Sequence, residues 1–274
     1  MKLIEIVADI VCKTLLDSKV LNNARRKKGA FTRNNGKLPY WTMMKLLMSN
    51  IKKSISSALD DFFTEVRKLA GLPADETIIC SQQAFSKARS GIDHTIFQEC
   101  FNRVLDFLCS EGVLEYHKRL GGQWGIQFIA IDGSRIPLPC RKQLLDKYGG
   151  TGRDASSPTA LASIAYDVLN DTILDAQFEP LSVSERELAM RHLEAIKADK
   201  RVNLFYSMFV FDRGYASQDL IRFIEKDIKT KYLFRLREKF NLRIDALPVP
   251  QSADEIIEQR TAERAMGFGS NIGQ

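Results

Sequence analysis

Two aspartates stand where a carboxylate can work on a metal ion. The segments FIAIDGS at 128–134 and FVFDRGYAS at 209–217 each run an apolar, β-prone stretch into one aspartate and then a glycine-bearing turn. An aspartate at the carboxyl end of a buried strand is held on a rigid element and faces a crevice. Its hard oxygens suit magnesium or manganese. Asp132 and Asp212 are therefore the leading chemical candidates. Either alone is also an ordinary turn residue, because Asp-Gly and strand-Asp-turn recur for hydrogen-bonding reasons only.

The elements between the two acids can be put in order. IAID and RIPLP are followed by ALASIAYDVLN at 160–170 and TILDAQFEPL at 172–181, which read as strands joined at the turn-forming Asn170-Asp171. SERELAMRHLEAIK at 184–197 reads as a helix opened by Ser184, with Glu187 three residues on in capping-box spacing. SMFVFD delivers the second acid, SQDLIRFIEKD makes a helix, and KYLFRLR at 231–237 a strand. The order is three largely antiparallel strands, helix, strand, helix, strand. Gly149, Gly150 and Gly152 in YGGTGRDASS lack the strand, helix and lysine of a phosphate loop, so this stretch reads as a mobile loop over the site, with Arg153 facing a DNA backbone.

This order, with one acid on the first strand and another after the fourth, resembles the ribonuclease H-like nucleotidyl-transferase fold. The phrases AIDGS, SERELA and DRGYAS resemble the DDE transposases of bacterial insertion sequences, specifically family four, the Tyr-Arg-Glu-Lys group. The resemblance runs from about Phe31 to Leu242 and takes in FTRNNGKLPYW and SQQAFSKAR; DRGYAS some 80 residues beyond IDGS is its most specific part. It implies that Asp132, Asp212 and a later glutamate bind two Mg2+ (or Mn2+) ions. A metal pair about 3.5–4 Å apart neutralises both the attacking and the leaving oxygen of a phosphodiester. It also implies double-stranded DNA as partner, in the form of inverted repeats at element ends and target DNA, and a homo-oligomer assembled on that DNA. Arg213 and Tyr215, in the DRGY turn, either position the substrate strand or brace the turn.

The third acid departs from the family pattern of Tyr, two residues, Arg, three residues, Glu, six residues, Lys. At Tyr232 and Arg235 the glutamate slot holds Lys239, and at Tyr116 and Arg119 it holds Gln123. Glu255, Glu258 and Glu263 on a short helix are stand-ins, as are Glu238 and Glu185, although Glu185 also suits the first turn of its helix, where negative charge complements the dipole. The glycine-rich tail GFGSNIGQ, ending at Gln274, gives the expectation of a chain cut short of the family's third acid.

Composition excludes several classes. With 274 residues and 45% hydrophobic content the chain can bury a full core, and no apolar run reaches membrane-spanning length. Leu3, Ile6, Val7, Ile10, Val11 and Leu15 recur at helical spacing around Glu5 and Asp9, an amphipathic helix and not a signal peptide. Five cysteines without a Cys-x-x-Cys pair read as free thiols, and the expectation is a soluble cytoplasmic protein. Cys100, Cys109 and His117 match no usual zinc spacing, and His94 and His192 read as structural or exposed.

The net charge of +6 is concentrated before Trp124, and ten lysines and arginines fall between Ser18 and Leu59 without an acid. Such a run attracts a polyanion, with counterion release adding to affinity at low salt, while a solvated basic loop is the plain alternative. Arg25, Arg26, Lys27, Lys28, Arg33, Lys37, Lys52 and Lys53 are the DNA-binding candidates, in a basic loop followed by one helix from Pro39 to about Ala70. SQQAFSKAR and the helix after Asp93 form either a helix-turn-helix, presenting Gln82, Gln83, Lys87 and Arg89, or an ordinary helical hairpin.

The expected fold class is thus α/β, a ribonuclease H-like mixed sheet with flanking helices, preceded by a mostly α-helical DNA-binding region. The expected divisions are 1–124, 125–242 and a tail or insertion from 243 to 274. The implied function is transposition by metal-dependent strand cleavage and transfer; the alternative is a non-catalytic DNA-binding remnant that inhibits an intact transposase.

Overall fold

A computed structural model describes residues 2–27, 31, 38, 40–49, 54–70, 80–110 and 126–236. The chain divides into two compact units, Met1–Glu111 and Gly112–Gln274. The division expected after Trp124 falls among residues 111–125, outside the described set. Among the described residues no helix is long and apolar enough to cross a membrane.

The amino-terminal unit holds α1 (Leu3–Leu16), α2 (Ser18–Ala24), α3 (Tyr40–Met48), α4 (Ile55–Ala70), α5 (Gln82–Arg89) and α6 (Thr95–Ser110). Asp17 separates the first two, its carboxylate accepting from the Lys19 N–H at 2.9 Å and from Arg103 Nη2 of α6 at 3.0 Å. The Arg103 guanidinium, with the Lys19 amide, holds that carboxyl below the usual range. The core collects Leu15, Met43, Met44, Leu59, Phe85 and Ile96.

The single helix expected from Pro39 to Ala70 is two helices. Ser49 Oγ donates back to the Leu46 carbonyl at 2.7 Å at the end of α3, and Ser54 Oγ accepts from the Ser57 N–H at 3.3 Å where α4 begins. Local serine bonds of this kind compete with helix continuation, which apolar periodicity alone does not register. Met48, although it continues the apolar spacing of Met44 and Leu47, is exposed. In α5, capped by Ser81, Gln82, Gln83, Lys87 and Arg89 are all exposed and Phe85 is fully buried. The link into α6 is pinned to the end of α2 by Asp93 N–H to the Ala24 carbonyl, 2.7 Å, and Arg26 N–H to the Gly91 carbonyl, 3.0 Å.

The second unit contains β1 (Gln127–Pro137), α7 (Lys142–Tyr148), β2 (Gly150–Thr151), β3 (Ser157–Asp167), β4 (Thr172–Pro180), α8 (Glu185–Ala198), β5 (Ser207–Phe211), α9 (Gln218–Phe223) and β6 (Lys231–Phe234). The main sheet order is β4-β3-β1-β5-β6, with β2 pairing at the start of β3. β3 lies between β1 and β4 and is antiparallel to both, whereas β5 and β6 continue parallel to β1. This is the ribonuclease H-like mixed sheet expected from the order of elements.

One face of the sheet is buried under helices. Ile129, Ile131, Ala165, Phe209 and Phe211 pack with Ala189, Leu193 and Ile196 of α8 and Leu220 of α9. Residues two apart share a face of a strand, so this burial pattern fixes register: a slip of one position would turn the apolar set outward. α8 starts where expected, with Ser184 Oγ accepting from the Glu187 N–H at 3.1 Å. Ser184→Ala is expected to cost about 1 kcal/mol, seen as a lower urea midpoint at unchanged m-value.

At the β3–β4 turn, fully buried Asp167 accepts from Gln127 Nε2, the Leu169 and Asn170 amides and Asn170 Nδ2 at 2.7–3.2 Å, while Asp171 takes φ 54°. Helix α7 was not foreseen, since its seven residues have no side-chain cap at their start. The stretch read as a loop over the site begins with β2 paired to β3. Its glycines are steric requirements: Gly152 has φ 94°, and a Cβ on Gly150 would stand 1.8 Å from the Ala155 carbonyl oxygen. β6 stops at Phe234, short of the expected Arg237, and α9 runs into a wider turn over Ile224–Ile228 that ends at left-handed Lys229.

Candidate active site

Strands β1 and β5 run parallel, in register from Gln127 opposite Ser207 to Ile131 opposite Phe211. The next residues are Asp132 and Asp212. Neighbouring strands lie about 4.8 Å apart, so the two acids stand at one height, just past the paired residues of β1 and β5. Only Asp212 ends its strand as expected: β1 runs on past Asp132 to Pro137, because its other edge stays paired with β3, and the turn expected at Asp132-Gly133 is absent. Four buried residues, Ile129, Ile131, Phe209 and Phe211, hold this register. Both acids are exposed.

Their immediate surroundings differ. Asp132 Oδ1 accepts from the Gly133 N–H at 2.8 Å, and the Asp132 carbonyl accepts from Ser163 Oγ at 3.2 Å. The Asp212 carbonyl closes a turn with the Tyr215 N–H at 3.0 Å, and Asp212 Oδ1 lies 3.6 Å from Arg235 Nη1 across an exposed gap. Arg213 is exposed, but Tyr215 is only 1% exposed and packs its ring against Phe211. Tyr215 is therefore a core residue beneath the turn, which is the bracing position, and its ring lies out of reach of a passing duplex. Among the described residues no three His, Cys, Asp or Glu side chains converge to hold a metal ion.

Behind Asp132 runs a buried polar chain that sequence reading did not anticipate. Asp175 Oδ2 meets His192 Nδ1 at 2.6 Å, His192 Nε2 meets Ser163 Oγ at 2.9 Å, and Ser163 reaches the Asp132 carbonyl. His192 is fully buried and Ser163 is 1% exposed. Ser163 has one hydrogen and gives it to the carbonyl, so Nε2 must donate to the serine. Burial pushes the Asp175 carboxyl up, but its bonds to His192 and Gln177 and the charge of His192 outweigh this and leave it below the usual range. Only the alternation of small and polar residues in ALASIAYD hinted at an inward serine.

A cleft of about 420 Å3 is lined by Arg135, Glu185, Arg186 and Gly214, among others, and Gly214 lies two residues beyond Asp212. Arg186 Nε donates to the Gly214 carbonyl at 3.2 Å, tying the start of α8 to the turn after Asp212.

Among the basic candidates, Arg25 is half-buried and donates to Asn22 Oδ1 at 2.7 Å, and Arg26 is exposed and pairs with Asp93 at 3.0 Å. Lys27 is exposed. Lys28, Arg33, Lys37, Lys52 and Lys53 lie outside the described residues, as do Glu238, Glu255, Glu258, Glu263 and His117. None of the five cysteines forms a disulfide; Cys80 and Cys100 are buried, Cys12 and Cys109 half-buried, and Cys140 exposed.

A family model described as the transposase DDE domain matches residues 123–268. No curated protein matches the chain. Among solved structures the chain is similar to the piggyBac transposase in a synaptic complex with hairpin DNA, at 14% identity and a TM-score of 0.42, covering 90% of this chain and 52% of that one. It is also similar to the Mos1 transposase in a paired-end complex with the left transposon end, at 8% identity and a TM-score of 0.29, covering 87% of this chain and 74% of that one. The chain thus spans about half the length of the piggyBac chain it matches.

Proposed function

The chain belongs to the DDE transposase domain family, and from that premise we propose that it binds the inverted-repeat ends of an insertion sequence of family four and cuts and rejoins DNA there with divalent metal ions. The observation that carries this reading is the register of β1 and β5, whose paired residues end at Ile131 and Phe211, so that Asp132 and Asp212 follow at one height on adjacent strands. Two exposed carboxylates are hard oxygen donors, a set that fits Mg2+ or Mn2+. When bound, two such ions activate a water or 3′ hydroxyl and neutralise the leaving oxygen. Asp132 and Asp212 would ligate them. Arg135 and Arg186, in the cleft that Gly214 also lines, would hold the phosphates of the strand being cut, and Arg213 would meet the backbone beside Asp212. The protein would work as an oligomer on paired element ends.

Lys27, Lys28, Arg33, Lys37, Lys52 and Lys53, together with Arg25 and Arg26, would supply the sequence-independent part of DNA affinity. A second reading, a chain that binds DNA without cutting it and interferes with an intact transposase, is favoured by one observation: among the described residues no third acid converges with the pair. Both readings require salt-sensitive DNA binding. Fluorescence anisotropy on a duplex carrying the element end should give a log–log salt slope of about −0.9 per phosphate contacted, and the double variant Lys27→Ala, Lys28→Ala should reduce its magnitude by about 2. Affinity indifferent to salt would remove DNA from the account.

A further inference from the structure

The Tyr215 hydroxyl is buried and has no hydrogen-bond partner in the protein. A buried hydroxyl left unpaired is costly, so its direction is informative. A Cβ placed on Gly133 would stand 3.4 Å from this oxygen and 3.4 Å from Glu185 Cγ, and one on Gly214 would stand 3.9 Å from Glu185 Oε2. Glu185, the first residue of α8, therefore lies beside both stretches that carry the catalytic candidates: Asp132-Gly133 within β1, and the Asp212-Arg213-Gly214 turn after β5. The hydroxyl and the carboxylate face one gap, left open because position 133 has no side chain. Burial raises the Tyr215 phenol far above its ordinary range, and the negative charges of Glu185, Asp132 and Asp212 add to this in that order.

We infer that Glu185 and Tyr215 form an outer rim of the cation site: when a hydrated divalent cation sits at Asp132 and Asp212, the hydroxyl, unpaired in this structure, takes the Glu185 carboxylate as its acceptor and holds it where it reaches the cation through one water. This rests on the metal-dependent reading above. A carboxylate acting through water need not approach within ligand distance of the two aspartates, which agrees with the absence of a three-acid cluster among the described residues. Partners of this outer kind orient the groups that hold a metal and commonly change its affinity by about 10- to 100-fold. Glu185 at the first turn of α8 also complements the helix dipole, and that role would be indifferent to metal.

Mn2+ binding to the full 274-residue chain, followed by the electron paramagnetic resonance signal of the free ion, separates the two roles. Glu185→Gln and Tyr215→Phe should each weaken Mn2+ binding about tenfold. The double variant should bind no more weakly than either single one, because the two side chains act as one unit, and melting curves should show all variants folded. Wild-type affinity in both single variants, with binding lost in Asp132→Ala, would overturn the rim and leave the aspartate site standing. Independent, multiplying losses would overturn the coupling of hydroxyl to carboxylate. Undiminished binding in Asp132→Ala and Asp212→Ala would overturn the metal reading and the rim with it.

Discussion

Asp132→Ala and Asp212→Ala are each expected to lower metal-dependent DNA strand cleavage by about 10^3-fold or more while leaving the fold and DNA binding intact. The size follows from what each carboxylate supplies. Charge develops on both the attacking and the leaving oxygen during phosphodiester cleavage, and removing one preorganised electrostatic contact of this type costs about 10^2- to 10^3-fold even where no metal is lost. Both side chains are exposed, and their backbones stay held, Asp132 in the β1–β3 ladder and Asp212 in its turn with Tyr215, so each change should cost within about 0.5 kcal/mol of stability. Asp212→Ala also frees Arg235, which is itself exposed, and this should not register in unfolding. Asn at either position keeps shape and removes charge, so equal losses for Asn and Ala would assign the effect to the carboxylate. Cleavage undiminished in both variants would remove the two aspartates from the chemistry.

His192→Ala should have the largest effect on stability, about 3 kcal/mol or more at neutral pH. The substitution leaves the partly buried Asp175 carboxylate without its main partner and Ser163 without a donor in the interior, the situation in which breaking a buried pair costs most. The pH dependence carries the sign. The folded-state pKa of Asp175 lies below its unfolded value of 3.8, so its contribution is present above that value and is lost as the pH falls through the lowered folded pKa. Urea unfolding at neutral pH and near pH 3 should therefore show wild type losing stability on acidification, with His192→Ala losing less. Parallel acid profiles for the two proteins would contradict the pairing. Because Ser163 also holds the Asp132 carbonyl, cleavage by any folded His192 variant should fall as well.

Much of this was legible in the chain because the second unit obeys simple rules. Alternating burial in FIAID and SMFVF, a serine cap with a glutamate three residues on, and an Asn-Asp turn each specify local structure by themselves, and their order leaves few topologies. That Asp132 and Asp212 would be in register was not readable, since strand pairing is settled by Ile129, Ile131, Phe209 and Phe211 meeting a helix about 60 residues distant from β1. The chain through Asp175, His192 and Ser163 was hidden for the same reason. Its members come from β4, α8 and β3, and no spacing links them. Tyr215 was misleading because a tyrosine beside an arginine in a turn reads as surface, whereas Phe211 and the turn geometry draw its ring inward. Ser49 and Ser54 broke a helix whose apolar period runs on, a competition between side-chain and backbone bonding that periodicity does not weigh.

The most direct test is strand cleavage of a duplex carrying the element end by the 274-residue chain, with Mg2+ or Mn2+, with chelator, and beside the two aspartate variants. Nicking that needs the metal and disappears in Asp132→Ala and Asp212→Ala is the predicted result. Salt-sensitive binding with no nicking under any metal condition would contradict a working site and leave a DNA-binding chain whose two aspartates are only inherited.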